Sequence, residues 1–180
     1  MAFTNAPILT SATPSVEVVN ADGANSHVVV AGSSKPSWSP DGERIAYVAD
    51  NGVHVINADG SADRFVALTD DALIGNAHWT TVSSSPDSRQ LAYIRGNNVF
   101  AVNADGSNLR KLGNFDASPP LRIAAAPSWA PDGSAIAFIV VGPATAPQAQ
   151  EIWDVHLDGT ALKRLASLRL RRQRRRLDAR

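Results

Sequence analysis

Trp38-Ser39-Pro40-Asp41-Gly42-Glu43-Arg44-Ile45-Ala46-Tyr47-Val48 is the stretch that decides the fold. Ser39 to Gly42 reads as a tight turn: proline presets φ at the second position, aspartate suits the third and glycine the fourth. Ile45 to Val48 is a nearly unbroken apolar run, as expected of a strand covered on both faces. Next comes the apolar, β-branched run Val53–Ile56, which leads into Asp59-Gly60. An Asp-Gly pair between two strand-like runs is a strong hairpin signal, because glycine tolerates the positive φ of the primed turns.

Both motifs recur. Four segments align without gaps on the Asp-Gly pair: Val16–Gly23 (VEVVNADG), Val53–Gly60 (VHVINADG), Val99–Gly106 (VFAVNADG) and Ile152–Gly159 (IWDVHLDG). The turn motif precedes three of them, as WSPDGERIAYV from Trp38, SSPDSRQLAYI from Ser84 and WAPDGSAIAFI from Trp129. Pro40, Pro86 and Pro131 stand 46 and 45 residues apart. From each proline to the Asp of the following Asp-Gly pair is 19, 19 and 27 residues, the last stretched by the insertion Gly142–Gln150. The middle unit departs from the pattern, with Ser88 for the turn glycine and Ser84 for the tryptophan. No segment before the C-terminal tail has a helical period, so the domain reads as all-β.

A unit of about 40–45 residues with about four strands is the signature of a propeller blade. The motifs Trp38–Gly42, Ile45-Ala46-Tyr47 and Asn57-Ala58-Asp59-Gly60-Ser61 resemble the TolB-type, WD-repeat-like β-propeller repeat over residues 16–166. The expected architecture is a β-propeller of four-stranded antiparallel blades. It comprises an N-terminal extension (1–15), a half-blade of two strands (16–30) that lacks an inner pair unless Phe3–Leu9 supplies a strand, and blades at 36–69, 78–113 and 127–166. Three and a half blades do not close a ring, so a partial propeller is expected, completed by self-association or within a longer protein. An Arg-rich tail (167–180), disordered or helical, follows.

Charge is unevenly spread. Lys+Arg and Asp+Glu both number 17, yet residues 167–180 hold seven arginines and one acid. The rest is an acidic body, which argues against bulk nucleic-acid binding. The tail takes the place of the next expected turn motif. It reads as a truncated or out-of-frame end, as a binder of anionic surfaces, or as a self-association segment for the acidic body. With no cysteine, disulfides, thiolate nucleophiles and cysteine zinc sites are excluded. No apolar run approaches the ~18 residues of a membrane helix. Met1 to Ser15 lacks a basic residue and a continuous apolar core, so it does not read as a signal peptide. The compartment stays open, although the resemblance implies periplasm or secretion.

Catalytic signatures are lacking: no G-x-S-x-G elbow, H-E-x-x-H, phosphate loop or dinucleotide fingerprint occurs. His27, His54, His78 and His156 never stand three or four apart, so no helical metal pair forms. Asn57-x-Asp59-x-Ser61-x-Asp63 alternates oxygens like a calcium loop, but Leu68 stands where the closing Glu belongs. Asp41, Asp87 and Asp132 recur once per unit, which points to turn chemistry rather than catalysis. The same holds for Pro40, Gly42, Pro86, Pro131 and Gly133, and for the pairs Asp59-Gly60, Asp105-Gly106 and Asp158-Gly159. No metal and no cofactor is expected. Trp38 and Trp129, at matching positions, are expected to pack between blades.

Recognition in a repeat scaffold falls to loops on a rigid frame. The long connections 69–78 and 113–127 nominate Asp70, Asp71, His78, Trp79, Asn114, Asp116 and Arg122 as a binding surface. The expected function is a non-enzymatic scaffold for a protein or peptide partner. The alternative is the gating propeller of a prolyl-oligopeptidase-like serine peptidase without its hydrolase domain. A sugar- or metal-binding lyase-like propeller would need clustered His or carboxylates on inner strands, and these are not seen.

Overall fold

The Ser39-Pro40-Asp41-Gly42 turn closes as its residues ask. Gly42 N donates to the Ser39 carbonyl at 2.9 Å, and Gly42 takes a φ of 76°, a left-handed value open to glycine at little cost. In the computed structural model, which describes residues 2–5, 15–49, 52–69, 81–113, 122–142 and 149–169, this turn joins β4 (Ser33–Trp38) to β5 (Arg44–Ala49). The sheet continues through β6 (Gly52–Asn57) to β7 (Arg64–Leu68) in the order β4-β5-β6-β7. The same order recurs in β8 (Val82–Ser84), β9 (Gln90–Arg95), β10 (Asn98–Asn103) and β11 (Arg110–Leu112). It recurs again in β12 (Arg122–Trp129), β13 (Ala135–Val141), β14 (Ala149–His156) and β15 (Leu162–Arg169).

Every regular element among the described residues is a strand, and all pairings are antiparallel. β4, β8 and β12 lie beside one another in succession, so they are the innermost strands of blades set about one axis. The fold is a partial β-propeller. Antiparallel alternation sends the Pro-Asp-Gly and Asp-Gly turns to one end of every blade. The other end of the blades is that of the β5–β6 and β9–β10 turns, where β4, β8 and β12 begin.

The first sheet differs from the two-strand half-blade expected of residues 16–30. It has three strands, β1 (Ala2–Asn5), β2 (Ser15–Val18) and β3 (His27–Ala31). Residues 2–5 of the expected extension are therefore part of the sheet. Phe3 pairs with Glu17 as Tyr47 pairs with His54, and Glu17 and His54 are matching repeat positions. Phe3 thus occupies the register position of Tyr47, Tyr93 and Phe138, which makes β1 a second strand. Among the described residues, this sheet has no innermost strand.

Two local details also depart from expectation. Each Asp-Gly pair lies in a wider loop than a two-residue primed turn: Gly60 N bonds to the Asn57 carbonyl and Asn57 N to the Ser61 carbonyl, both at 2.9 Å. Only the glycine of that pair has a positive φ. In the middle unit, Ser88 takes the glycine's place at a φ of 61° and the turn still forms, with Ser88 N 2.9 Å from the Ser85 carbonyl. At the far end β15 runs to Arg169, three residues into the expected tail.

Blades are joined by apolar cores made of their facing sides. Ile45, Tyr47 and Ile56 meet Val16 with Trp38 against them. Ala46, Val48, Val53 and Val55 meet Leu91, Tyr93 and Val102. Ala92, Ile94, Val99 and Ala101 meet Ile136, Phe138, Val140 and Val155, with Trp129 and Trp153 beside them. At ~1.5–3 kcal/mol for each large buried side chain, these joints dominate the stability. Aromatic pairs stack across neighbouring strands at matching positions, Tyr47 on His54 at 5.3 Å and Tyr93 on Phe100 at 5.5 Å between centroids.

The last blade has one side without a partner among the described residues. Ala137, Ile139, Ile152 and Asp154 stand where Ala92, Ile94, Val99 and Ala101 stand one blade earlier. Those four are buried, whereas the last blade's four are half-buried.

Candidate binding surface

Each turn aspartate is consumed by its own turn. Asp87 Oδ1 accepts from Ser85 Oγ at 2.6 Å and from Arg89 N at 3.1 Å. Asp41 does the same with Ser39 and Glu43. Where Ala130 removes the first hydroxyl, Asp132 takes Ser134 Oγ at 2.7 Å and Ser134 N at 3.0 Å instead. In the second turn series, Asp59, Asp105 and Asp158 accept from Ser61, Ser107 and Thr160. Hydroxyl and amide donors stabilise the ionised carboxylate, so all six are held below the usual carboxylate range. They are structural anchors, as their one-per-unit recurrence implies.

Between the turns of the β4–β7 and β8–β11 blades opens a cleft of about 460 Å³ lined by Arg44, Arg64, Asp87, Arg89, Asn103 and Asp105, among others. Its walls are tied across the joint. Arg44 Nη2 donates to the Ser88 carbonyl at 2.8 Å, and Asp41 N donates to Ser88 Oγ at 3.1 Å. Arg64 Nη2 donates to the Ala104 carbonyl at 2.8 Å. Gln90 Nε2 donates to Asn103 Oδ1 at 3.3 Å, while Gln90 Oε1 accepts from Arg110.

Three guanidinium groups face two acids there, so the cleft offers more donors than acceptors. A guanidinium carries five N–H groups in a planar fork suited to carboxylates and carbonyls. The chemistry on offer is hydrogen bonding to an acidic or carbonyl-rich segment. Among the described residues, no group of three or more His, Asp or Glu side chains could hold a metal ion, and no helix is long and apolar enough to cross a membrane.

Of the residues nominated from sequence, only Arg122 is described, and it is not among the residues that line the cleft. Asp70, Asp71, His78, Trp79, Asn114 and Asp116 fall outside the described residues. Arg122 opens β12 and pairs with Val141, at the end of the blade opposite the cleft. The cleft arginines were missed, although a signal existed: Arg64 and Arg110 both stand four residues past an Asp-Gly glycine. Arg110 likewise reaches the next blade, with Nη1 3.4 Å from the Leu157 carbonyl.

No protein-family model and no curated protein matches the sequence. Solved β-propellers resemble the fold closely. A TolB protein of Agrobacterium tumefaciens aligns over 93% of this chain and 61% of its own, at 15% identity and a TM-score of 0.70. Dipeptidyl peptidase 4 of Porphyromonas gingivalis aligns over 93% of this chain and 30% of its own, at 13% identity and a TM-score of 0.62. The β-propeller domain of the Trilobed protease of Pyrococcus furiosus aligns over 92% of this chain and 57% of its own, at 13% identity and a TM-score of 0.56. The chain thus spans less than two thirds of each of these structures. At such identities the likeness is one of fold.

Proposed function

We propose that this chain is a non-enzymatic propeller scaffold, similar to TolB-type propellers, that binds a protein or peptide partner. The carrying observation is the cleft between the β4–β7 and β8–β11 blades, lined by Arg44, Arg64 and Arg89. Bonds between blades fix its walls, and preorganised donors lower the ordering cost of binding. An extended acidic segment fits it best. The connections nominated from the sequence, with Asp70, Asp71, His78, Trp79, Asn114, Asp116 and Arg122, are the second surface in this reading.

Selection of a random peptide display library on the full chain tests this. Acidic peptides should be enriched and should lose binding to Arg89→Glu, an exposed position. Failure to enrich any peptide, or peptides indifferent to Arg89→Glu, overturns the cleft as the binding site.

A second reading, a peptidase propeller segment, draws on the likeness to dipeptidyl peptidase 4 and to the Trilobed protease propeller. The coding sequence beyond codon 166, read in all frames, separates the two. A G-x-S-x-G elbow favours the peptidase, and further turn motifs favour the scaffold.

A further inference from the structure

Asp22-Gly23, Asp59-Gly60, Asp105-Gly106 and Asp158-Gly159 sit in the matching loops of the four sheets. The backbone of the first loop repeats that of the second. Gly23 N donates to the Asn20 carbonyl and Asn20 N to the Ala24 carbonyl, both at 3.0 Å. The side chains differ. Asp59 Oδ1 accepts from the Ser61 amide at 2.9 Å and from its hydroxyl at 2.6 Å, and Asn57 Nδ2 donates to that hydroxyl oxygen at 2.9 Å. Asp105 is held in the same way by Ser107 and Asn103, and Asp158 by Thr160.

Ala24 stands where Ser61, Ser107 and Thr160 stand. Asp22 Oδ1 therefore keeps the amide alone, Ala24 N at 2.9 Å. The Asp-Gly pairs of the Pro-Asp-Gly turns have a hydroxyl too, Ser39 for Asp41 and Ser134 for Asp132. Of the six Asp-Gly pairs, Asp22-Gly23 is the one whose carboxylate no hydroxyl holds.

That difference has a covalent consequence. The Cγ of an aspartate can close a five-membered ring with the next backbone nitrogen, and a following glycine offers no side chain to resist the closure. Ring closure needs a mobile, neutral carboxyl group. A hydroxyl donor opposes both requirements, because it fixes the oxygen and favours the ionised form. Gly23 N is itself bonded to Asn20, so closure follows a local opening of the loop. The loop with one tie fewer opens more often.

We propose that Asp22-Gly23 is the chain's site of spontaneous aspartate isomerisation, the first of its six Asp-Gly pairs to convert. Gly23 N attacks Cγ of the neutral Asp22 carboxyl group. The N–Cγ bond forms, a Cγ–O bond breaks, and the amide proton leaves with the hydroxyl as water. Water then reopens the succinimide at either carbonyl, which returns aspartate or leaves isoaspartate, with the main chain running through Cγ. The conversion lengthens the loop between β2 and β3 by one backbone carbon. It involves no residue of the arginine cleft, so either can fail without the other.

The test ages the full chain at mildly acidic pH and 37 °C and digests it with an aspartate-specific endoproteinase, which does not cut at isoaspartate. Electron-transfer fragmentation confirms each resistant position. Deamidation at Asn51-Gly52 changes the mass and is told apart by that. Resistance should appear first at Asp22, about two- to tenfold ahead of Asp59, Asp105 and Asp158, the effect of one net hydrogen bond. Ala24→Ser should slow Asp22 by the same factor, and Ser61→Ala should bring Asp59 up to the rate of Asp22. Ser107→Ala does the same for Asp105 and serves should Ser61→Ala not fold. In concentrated urea the pairs should convert at similar rates. The proposal is overturned if another Asp-Gly pair converts first, if none converts, or if Ala24→Ser leaves the rate at Asp22 unchanged. The same ranking in urea also overturns it, because the neighbouring residue and not the folded loop would then set the rate.

Discussion

Arg64 Nη2 donates to the Ala104 carbonyl at 2.8 Å, carrying a bond from the outer strand of one blade to the turn of the next. Arg110 repeats the reach one unit later. Arg64→Ala should therefore loosen a joint without opening a cavity. The expected loss is about 1 kcal/mol, modest because Arg64 is exposed, and urea denaturation measures it. Arg64→Lys should recover little of that loss, since a lysine lacks the planar fork. No change in Arg64→Ala would remove this bond from the account of blade cohesion.

Ser88 carries two opposed effects. Its φ of 61° is unfavourable for a residue with a side chain, yet its Oγ accepts from Asp41 N across the joint. Ser88→Ala keeps the strain and loses the bond, and should cost about 1 kcal/mol. Ser88→Gly also loses the bond but relieves about 1 kcal/mol of left-handed strain, so its denaturation midpoint should stay close to that of the parent.

Ile94 and Ile139 are the same residue at the same repeat position in different surroundings. Ile94 is 6% exposed in a core between blades, while Ile139 is half-buried on the last blade's outer side. Ile94→Ala should cost about 2–5 kcal/mol, and Ile139→Ala less than half as much in the monomer. Equal losses would mean that the outer side is covered in solution.

Acid should unfold the protein through its turns. The six turn aspartates have folded pKa values below the ordinary 3.8. For Asp132 the Ser134 amide is the first cause, and for the others a serine or threonine hydroxyl. A lowered folded value means that the unfolded chain takes up protons first as pH falls. The stabilisation is complete well above pH 3.8 and is lost as pH drops through the lowered values. Urea midpoints between pH 6 and pH 2 should fall along this course, and Asp59→Asn should show a shallower decline than the parent.

The blades were legible because Pro-Asp-Gly and Asp-Gly each fix a turn by local chemistry, and their spacing counted the units. β1 is legible only as the open option of a strand at Phe3–Leu9, because Ala2–Asn5 has no turn motif, and its pairing with β2 is what establishes it. The loop around Asp59-Gly60 is wider than the pair implies, because Asn57 and Ser61 bond beyond it, which sequence alone does not show. The cleft arginines belong to no motif with chemistry of its own. Arg64 becomes meaningful only once Ala104 is seen to lie across the joint from it.

Since Arg64 and Arg110 tie two successive joints from the same offset, a blade is an exchangeable part. Gene duplication that inserted one more 46-residue unit would bring its own arginine, turn and facing apolar side. Such a lineage can lengthen or shorten its array without inventing a new seam, which leaves the exposed rims free to diverge toward new ligands.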